Sequence, residues 1–111
     1  MTMRKNATIK AGDEGVALVN IYEVAPERQG ELVALLGEVT EAVVRQQPGF
    51  LAVCVHASLD GTKVVNYAQW ASKTDFERML KQPDVQAQFR RLAGVAKGVA
   101  PVLYKVASVH A

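Results

Sequence analysis

Cysteine is nearly absent from this sequence of 111 residues: Cys54 stands alone, so no internal disulfide can staple the chain. It lies in the apolar run Phe50 to Val55, where an inert buried thiol is expected rather than a nucleophile. Histidine occurs only at His56 and at His110 in the tail, and with one cysteine that makes no closed set of metal ligands. Neither sign of charge dominates: 13 basic residues against 11 acidic leave a net +2, too little to imply nucleic acid or membrane binding by charge. No apolar run approaches the length of a membrane span, and no signal-type apolar segment follows Arg4 and Lys5. Phosphate loops, dinucleotide fingerprints and Ser-His-Asp or Cys-His arrangements are also missing. The expectation is a cytoplasmic protein with no metal, whose chemistry rests on few groups.

Half of the residues are apolar and 22% are charged, which suits one folded domain. Residues 1–14 are polar and read as a flexible leader, leaving residues 15–111 as the domain. Val16 to Val24 is a strand-like run. Pro26 then opens a helix, with Leu32, Leu35, Leu36, Val39 and Val43 at helical spacing over about five turns, until Gln47-Pro48-Gly49 stops it. Phe50 to Leu59 and Thr62 to Trp70 form a hairpin about Asp60-Gly61. Ser72-Lys73-Thr74-Asp75 caps a short helix, Pro83 breaks it, and a second piece turns Val85, Phe89 and Leu92 inward. Gly94, Gly98 and Pro101 close that piece, and Val102 to Val109 is the last strand. The order β-α-β-β-α-β is the ferredoxin-like α+β arrangement, an antiparallel sheet with its helices on one side. Phe50 to Val55 is apolar on both faces, so the bare side of the sheet needs cover, and a second copy of the chain is the simplest supplier.

Asn66-Tyr67-Ala68-Gln69-Trp70 is the most informative stretch, because it places an amide and an indole on one face of a strand. Such groups need hydrogen-bond partners, and a substrate is one candidate; a capped bulge and a core-filling Trp are the other reading. The hairpin allows two registers. A two-residue turn pairs Leu59 with Thr62 and sets His56 against Val65. A type I turn with Gly61 in a bulge pairs Ser58 with Thr62, so that Cys54 faces Asn66 and Phe50 faces Trp70. Ser58 and Gly61 at the turn ends suit the second, which is the register expected. One face then carries Ala52, Cys54, His56, Val64, Asn66, Ala68 and Trp70, with small residues leaving room for a ligand. Leu51, Val53, Val55, Val65 and Tyr67 line the other, suited to a dimer seam.

Over Val16 to Val109 the chain resembles the antibiotic-biosynthesis monooxygenase family of dimeric ferredoxin-like proteins. The resemblance is carried by Gln47-Pro48-Gly49-Phe50, Asn66-Tyr67-Ala68-Gln69-Trp70 and Ser72-Lys73-Thr74-Asp75-Phe76. It implies a homodimeric α+β barrel that oxidises an electron-rich aromatic (an anthrone, a quinol or a related polyketide) with dioxygen and no cofactor. It also implies site residues Asn66, Trp70, His56 and Arg90, with Phe76 where those members carry a Tyr. On this resemblance Asn66 and Trp70 hold the substrate beside Phe76, Arg90 supplies positive charge and His56 relays a proton; in the expected register the small Ala52 and Cys54 complete the binding surface. A haem-degrading relative ligates iron through a His where this chain has Leu80, which disfavours haem. RNA recognition on the same fold needs a pattern of exposed aromatics and basic residues that the strand Thr62 to Ala68 does not supply. A non-catalytic dimeric module binding a small apolar ligand remains the alternative.

Overall fold

Alternation of side chains along Val16–Glu23 (β1) turns Leu18 and Tyr22 into the core and leaves Ile21 exposed, the pattern of a strand with one covered face. The computed structural model describes residues 5–12 and 15–111. Of the leader expected over 1–14, residues 1–4, 13 and 14 lie outside the described residues; within 5–12, Gln69 Nε2 on the sheet donates to the Thr8 carbonyl at 3.0 Å.

Pro26–Arg28 forms a single 3-10 turn, and α1 follows over Gln29–Val39. The helix continues as a π turn over Thr40–Val44, where the Arg45 N–H reaches back to the Thr40 carbonyl at 2.8 Å. Leu32, Leu36, Val39 and Val44 are its buried stripe. Strands β2 (Phe50–Ala57) and β3 (Lys63–Trp70) make the hairpin. Helix α2 spans Lys73–Leu80, capped by Ser72, whose Oγ accepts the Asp75 N–H at 3.1 Å and donates to Asp75 Oδ2 at 2.8 Å. Helix α3 runs over Pro83–Ala93 and buries Val85 and Leu92. Strand β4 covers Gly98–Tyr104. The sheet order is β2-β3-β1-β4, antiparallel throughout, as the ferredoxin-like reading requires.

Two expectations are corrected. The last strand begins at Gly98 rather than Val102, and Pro101 lies inside it opposite Asn20. An edge strand tolerates proline because one of its two sides needs no ladder donors. The hairpin adopts the other register: His56 pairs with Val65 and Val55 with Asn66. The turn Ser58–Gly61 does form, with the Gly61 N–H on the Ser58 carbonyl at 3.1 Å and Gly61 at φ +80°. Thr62, however, is drawn into the loop. The Asp60 carboxylate accepts from Thr62 N at 3.0 Å, Thr62 Oγ1 at 2.7 Å and Ser58 Oγ at 2.8 Å. These bonds hold its carboxyl down at about 2. Ser58 therefore pairs with Lys63, and one residue of slip exchanges the faces of β2. Val53 and Val55 face the helices, while Ala52, Cys54 and His56 join Val65 and Tyr67 on the open face. A bulge between Phe50 and Ala52 turns Phe50 back to pair with Trp70, as expected.

Candidate active site

The register decides what the helices cover. Cα pairs Leu18–Ala68, Asn20–Asn66 and Val16–Trp70 align two strands so that two carboxamides lie directly opposite each other beneath the helices. A cavity of about 590 Å³ lies above them, within the size range of small-molecule sites. Its floor includes Leu18, Asn20, Tyr22, Asn66, Ala68 and Trp70. Its roof is formed by Leu36, Val39, Thr40 and Val44 of the first helix, Phe76 and Met79 of α2, and Phe89 and Leu92 of α3. The lining then passes through Ala96 and Lys97 onto β4.

Trp70 is 1% exposed and held edge-on by two rings, Phe50 at 5.9 Å and Phe76 at 6.0 Å between centroids. Its indole N–H has no partner among the described residues. The same holds for Asn20 Oδ1 and Asn66 Oδ1, and these are the buried side-chain N and O atoms left unpaired among the described residues. A buried polar atom without a partner costs about 1–3 kcal/mol, and all three such atoms belong to residues that line this cavity. Asn20 Nδ2 is engaged, donating to Tyr22 Oη at 3.0 Å. Burial pushes the Tyr22 phenol up to about 12. Thr40 Oγ1 is also committed, donating to the Leu36 carbonyl at 2.7 Å.

The residues singled out from the sequence divide into two groups. Asn66, Trp70 and Phe76 line the cavity together. His56, Cys54 and Ala52 lie on the opposite face of the sheet, carried there by the shifted register, and His56 is exposed. Arg90 is exposed on α3 and stands outside the lining, whereas its neighbour Phe89 belongs to it. Arg91 pairs with Glu38 at 3.1 Å. Among the described residues, the cation of the lining is Lys97. Leu80 also lines the cavity, so an alkyl group occupies the position where haem-degrading relatives place their iron ligand. Among the described residues no three His, Cys, Asp or Glu side chains are grouped to hold a metal ion, and no helix is long and apolar enough to cross a membrane.

Sequence reasoning missed Asn20 and Tyr22. A signal was present: Leu18, Asn20 and Tyr22 alternate, so one face of an otherwise aliphatic strand carries an amide and a phenol. Only the pairing with β3 sets that amide against Asn66.

Residues 15–91 match the residue pattern of the family described as antibiotic biosynthesis monooxygenase. Tetracenomycin-F1 monooxygenase of Streptomyces glaucescens is 44% identical over 91 residues, which cover 82% of this chain and 81% of that protein. The crystal structure of a monooxygenase from the gene ActVA-Orf6 of Streptomyces coelicolor, in complex with the ligand Nanaomycin D, superposes with a TM-score of 0.77 at 31% identity, covering 87% of this chain and 91% of the other. SnoaB, a cofactor-independent oxygenase from Streptomyces nogalater, superposes at 0.76 with 24% identity over 86% of this chain and 96% of its own, a likeness of fold. With its ferredoxin-like fold and an apolar cavity over the Asn66–Trp70 strand, the chain belongs to the antibiotic biosynthesis monooxygenase family.

Proposed function

We propose that the protein is a cofactor-independent monooxygenase that oxidises a hydroxylated polycyclic aromatic with dioxygen, the ring lying over Asn20, Asn66 and Trp70. The observation that carries this reading is the trio of unpaired buried atoms at one apolar cavity. Two carboxamide oxygens accept and one indole N–H donates. A ring that satisfies them presents hydroxyl groups to the asparagines and a carbonyl or phenolate oxygen to the indole. The tetracenomycin named for the 44% identical relative supports an aromatic polyketide as that ring.

The chemistry asks little of the protein. Triplet dioxygen reacts slowly with closed-shell organics, but an electron-rich carbanion or phenolate can pass it one electron. The substrate thereby does the work usually given to a cofactor. The cavity orients the ring between Trp70, Phe76 and Phe89, and its apolar walls strengthen every hydrogen bond to the oxygen where charge develops. Arg90 and His56, outside this cavity, carry no role in this reading.

The test is oxygen uptake by metal-stripped protein supplied with hydroxylated anthrones and hydroquinones. Consumption of one dioxygen per ring oxidised supports the reading. Tight ring binding without uptake leaves a small-ligand module instead.

Homodimerisation belongs to the same proposal. The open face of the sheet carries Ile21, Val102 and Tyr104 at 39%, 47% and 50% exposure, with the half-buried Val19, Val65 and Tyr67 between them. A second copy that lays the same face on this one is self-complementary by symmetry. Sedimentation is expected to give twice the chain mass, and Val65→Lys to give one; a wild type that sediments as a single chain at micromolar concentration rules the pairing out.

A further inference from the structure

Oxygenation needs protons moved as well as electrons, and the cavity holds few groups that can move them. Among the described residues, its lining contains no carboxylate and no histidine. Two hydroxyls are present, and Thr40 has already committed its proton to the Leu36 carbonyl. Lys97 is the remaining titratable group, and it is exposed. Tyr22 is different in every respect. It is 7% exposed, its oxygen accepts the Asn20 N–H at 3.0 Å, and among the described residues the phenol's own proton has no acceptor.

We infer that Tyr22 is the proton shuttle of the reaction, giving its phenol proton to the peroxide formed on the substrate and recovering a proton from the same carbon. The inference rests on the monooxygenase reading above. In its steps, a ring CH₂ first loses one proton to solvent and becomes a carbanion. One electron passes to dioxygen, and the two radicals pair to form a C–O bond and a peroxide anion. Tyr22 protonates the terminal oxygen and becomes a phenolate. The phenolate then removes the second C–H proton as C=O forms and the O–O bond breaks. Hydroxide leaves and, with the proton lost at the outset, makes water. Carbon loses four electrons, dioxygen gains four, and Tyr22 ends protonated.

Two features of the site fit this role. Burial holds the phenol up at about 12, so the proton is in place at neutral pH. The Asn20 N–H already rests on the oxygen where the transient phenolate charge appears, so no reorganisation is needed when it forms.

The experiment is Tyr22→Phe assayed with a hydroxylated anthrone. General acid–base catalysis of this kind is worth about 10²–10⁴ in rate, so kcat is expected to fall at least about 100-fold with the dissociation constant for the anthrone within about twofold of wild type. The variant is also expected to release substrate carrying both oxygen atoms, seen by mass spectrometry as the hydroperoxide. A kcat within about threefold of wild type, with no such adduct, overturns the inference while oxygen uptake by the wild type keeps the monooxygenase reading. Should Tyr22→Phe fail to fold, 3-fluorotyrosine in a Tyr67→Phe/Tyr104→Phe background places a more acidic phenol at Tyr22 alone. A changed kcat then supports the shuttle, and an unchanged one overturns it. A wild type that consumes no oxygen defeats the underlying reading, and the shuttle with it.

Discussion

The Asn66→Ala/Trp70→Phe double variant is expected to lose oxygen uptake by at least about 100-fold at saturating anthrone, because removing a single positioned hydrogen-bonding group at such a site costs about 10²–10³. Phenylalanine keeps an aromatic ring between Phe50 and Phe76, the two rings that hold Trp70 at 5.9 and 6.0 Å, and removes the indole N–H. Stability is expected to respond differently from activity. Asn66 Oδ1 is buried without a partner, so its removal relieves a cost rather than breaking a bond. Asn66→Ala alone should therefore melt at or above the wild-type temperature while losing turnover. That opposition separates a binding group from a structural one, since a satisfied core amide would lose both together. Uptake retained within about threefold in the double variant would remove the floor of the cavity from the chemistry.

Gly49→Ala is expected to be strongly destabilising. Gly49 sits at φ +84°, where any side chain is strained, and a Cβ there would overlap the Asp75 side chain. Asp75 cannot move away freely, because it is tied to the Ser72 cap through its N–H at 3.1 Å and its carboxylate at 2.8 Å. The left-handed conformation costs about 1–2 kcal/mol and the overpacking about 1–3. The sum lowers the melting temperature by more than about 10 °C for a domain of this size. Gly37→Ala in α1 is the control: it has nothing within 4 Å of its added Cβ, and alanine favours the helix by about 1 kcal/mol over glycine. Thermal melts of the two variants should move in opposite directions. Equal melting temperatures would mean that Gly49 relaxes without strain. The position matters to function as well, since the Gly49 carbonyl accepts the Ala71 N–H at 2.8 Å and so fixes the chain immediately before Phe50 against the chain immediately after Trp70.

Local physics accounts for most of what the sequence alone determined. The element order followed from periods of two and 3.6, from Pro26 and Ser72 as helix openers, and from Asp60-Gly61 as a turn, all of which act over a few residues. The common face of Asn66 and Trp70 was equally legible, because four residues along a strand restore the same direction. What the tertiary structure decided is which groups meet across strands. Asp60 captures Thr62 with two hydrogen bonds, and that one added loop residue sends His56, Cys54 and Ala52 to the open face. Pro101 reads as a helix terminator until β4 is found at the edge, where proline is harmless. Asn20 showed only as an amide on one face of an aliphatic strand, and what it meets came from the residue opposite it, Asn66. Side-chain direction repeats with a fixed local period, but the parity of one strand against another is set by hydrogen bonds between residues far apart in the chain, and no single segment contains that information.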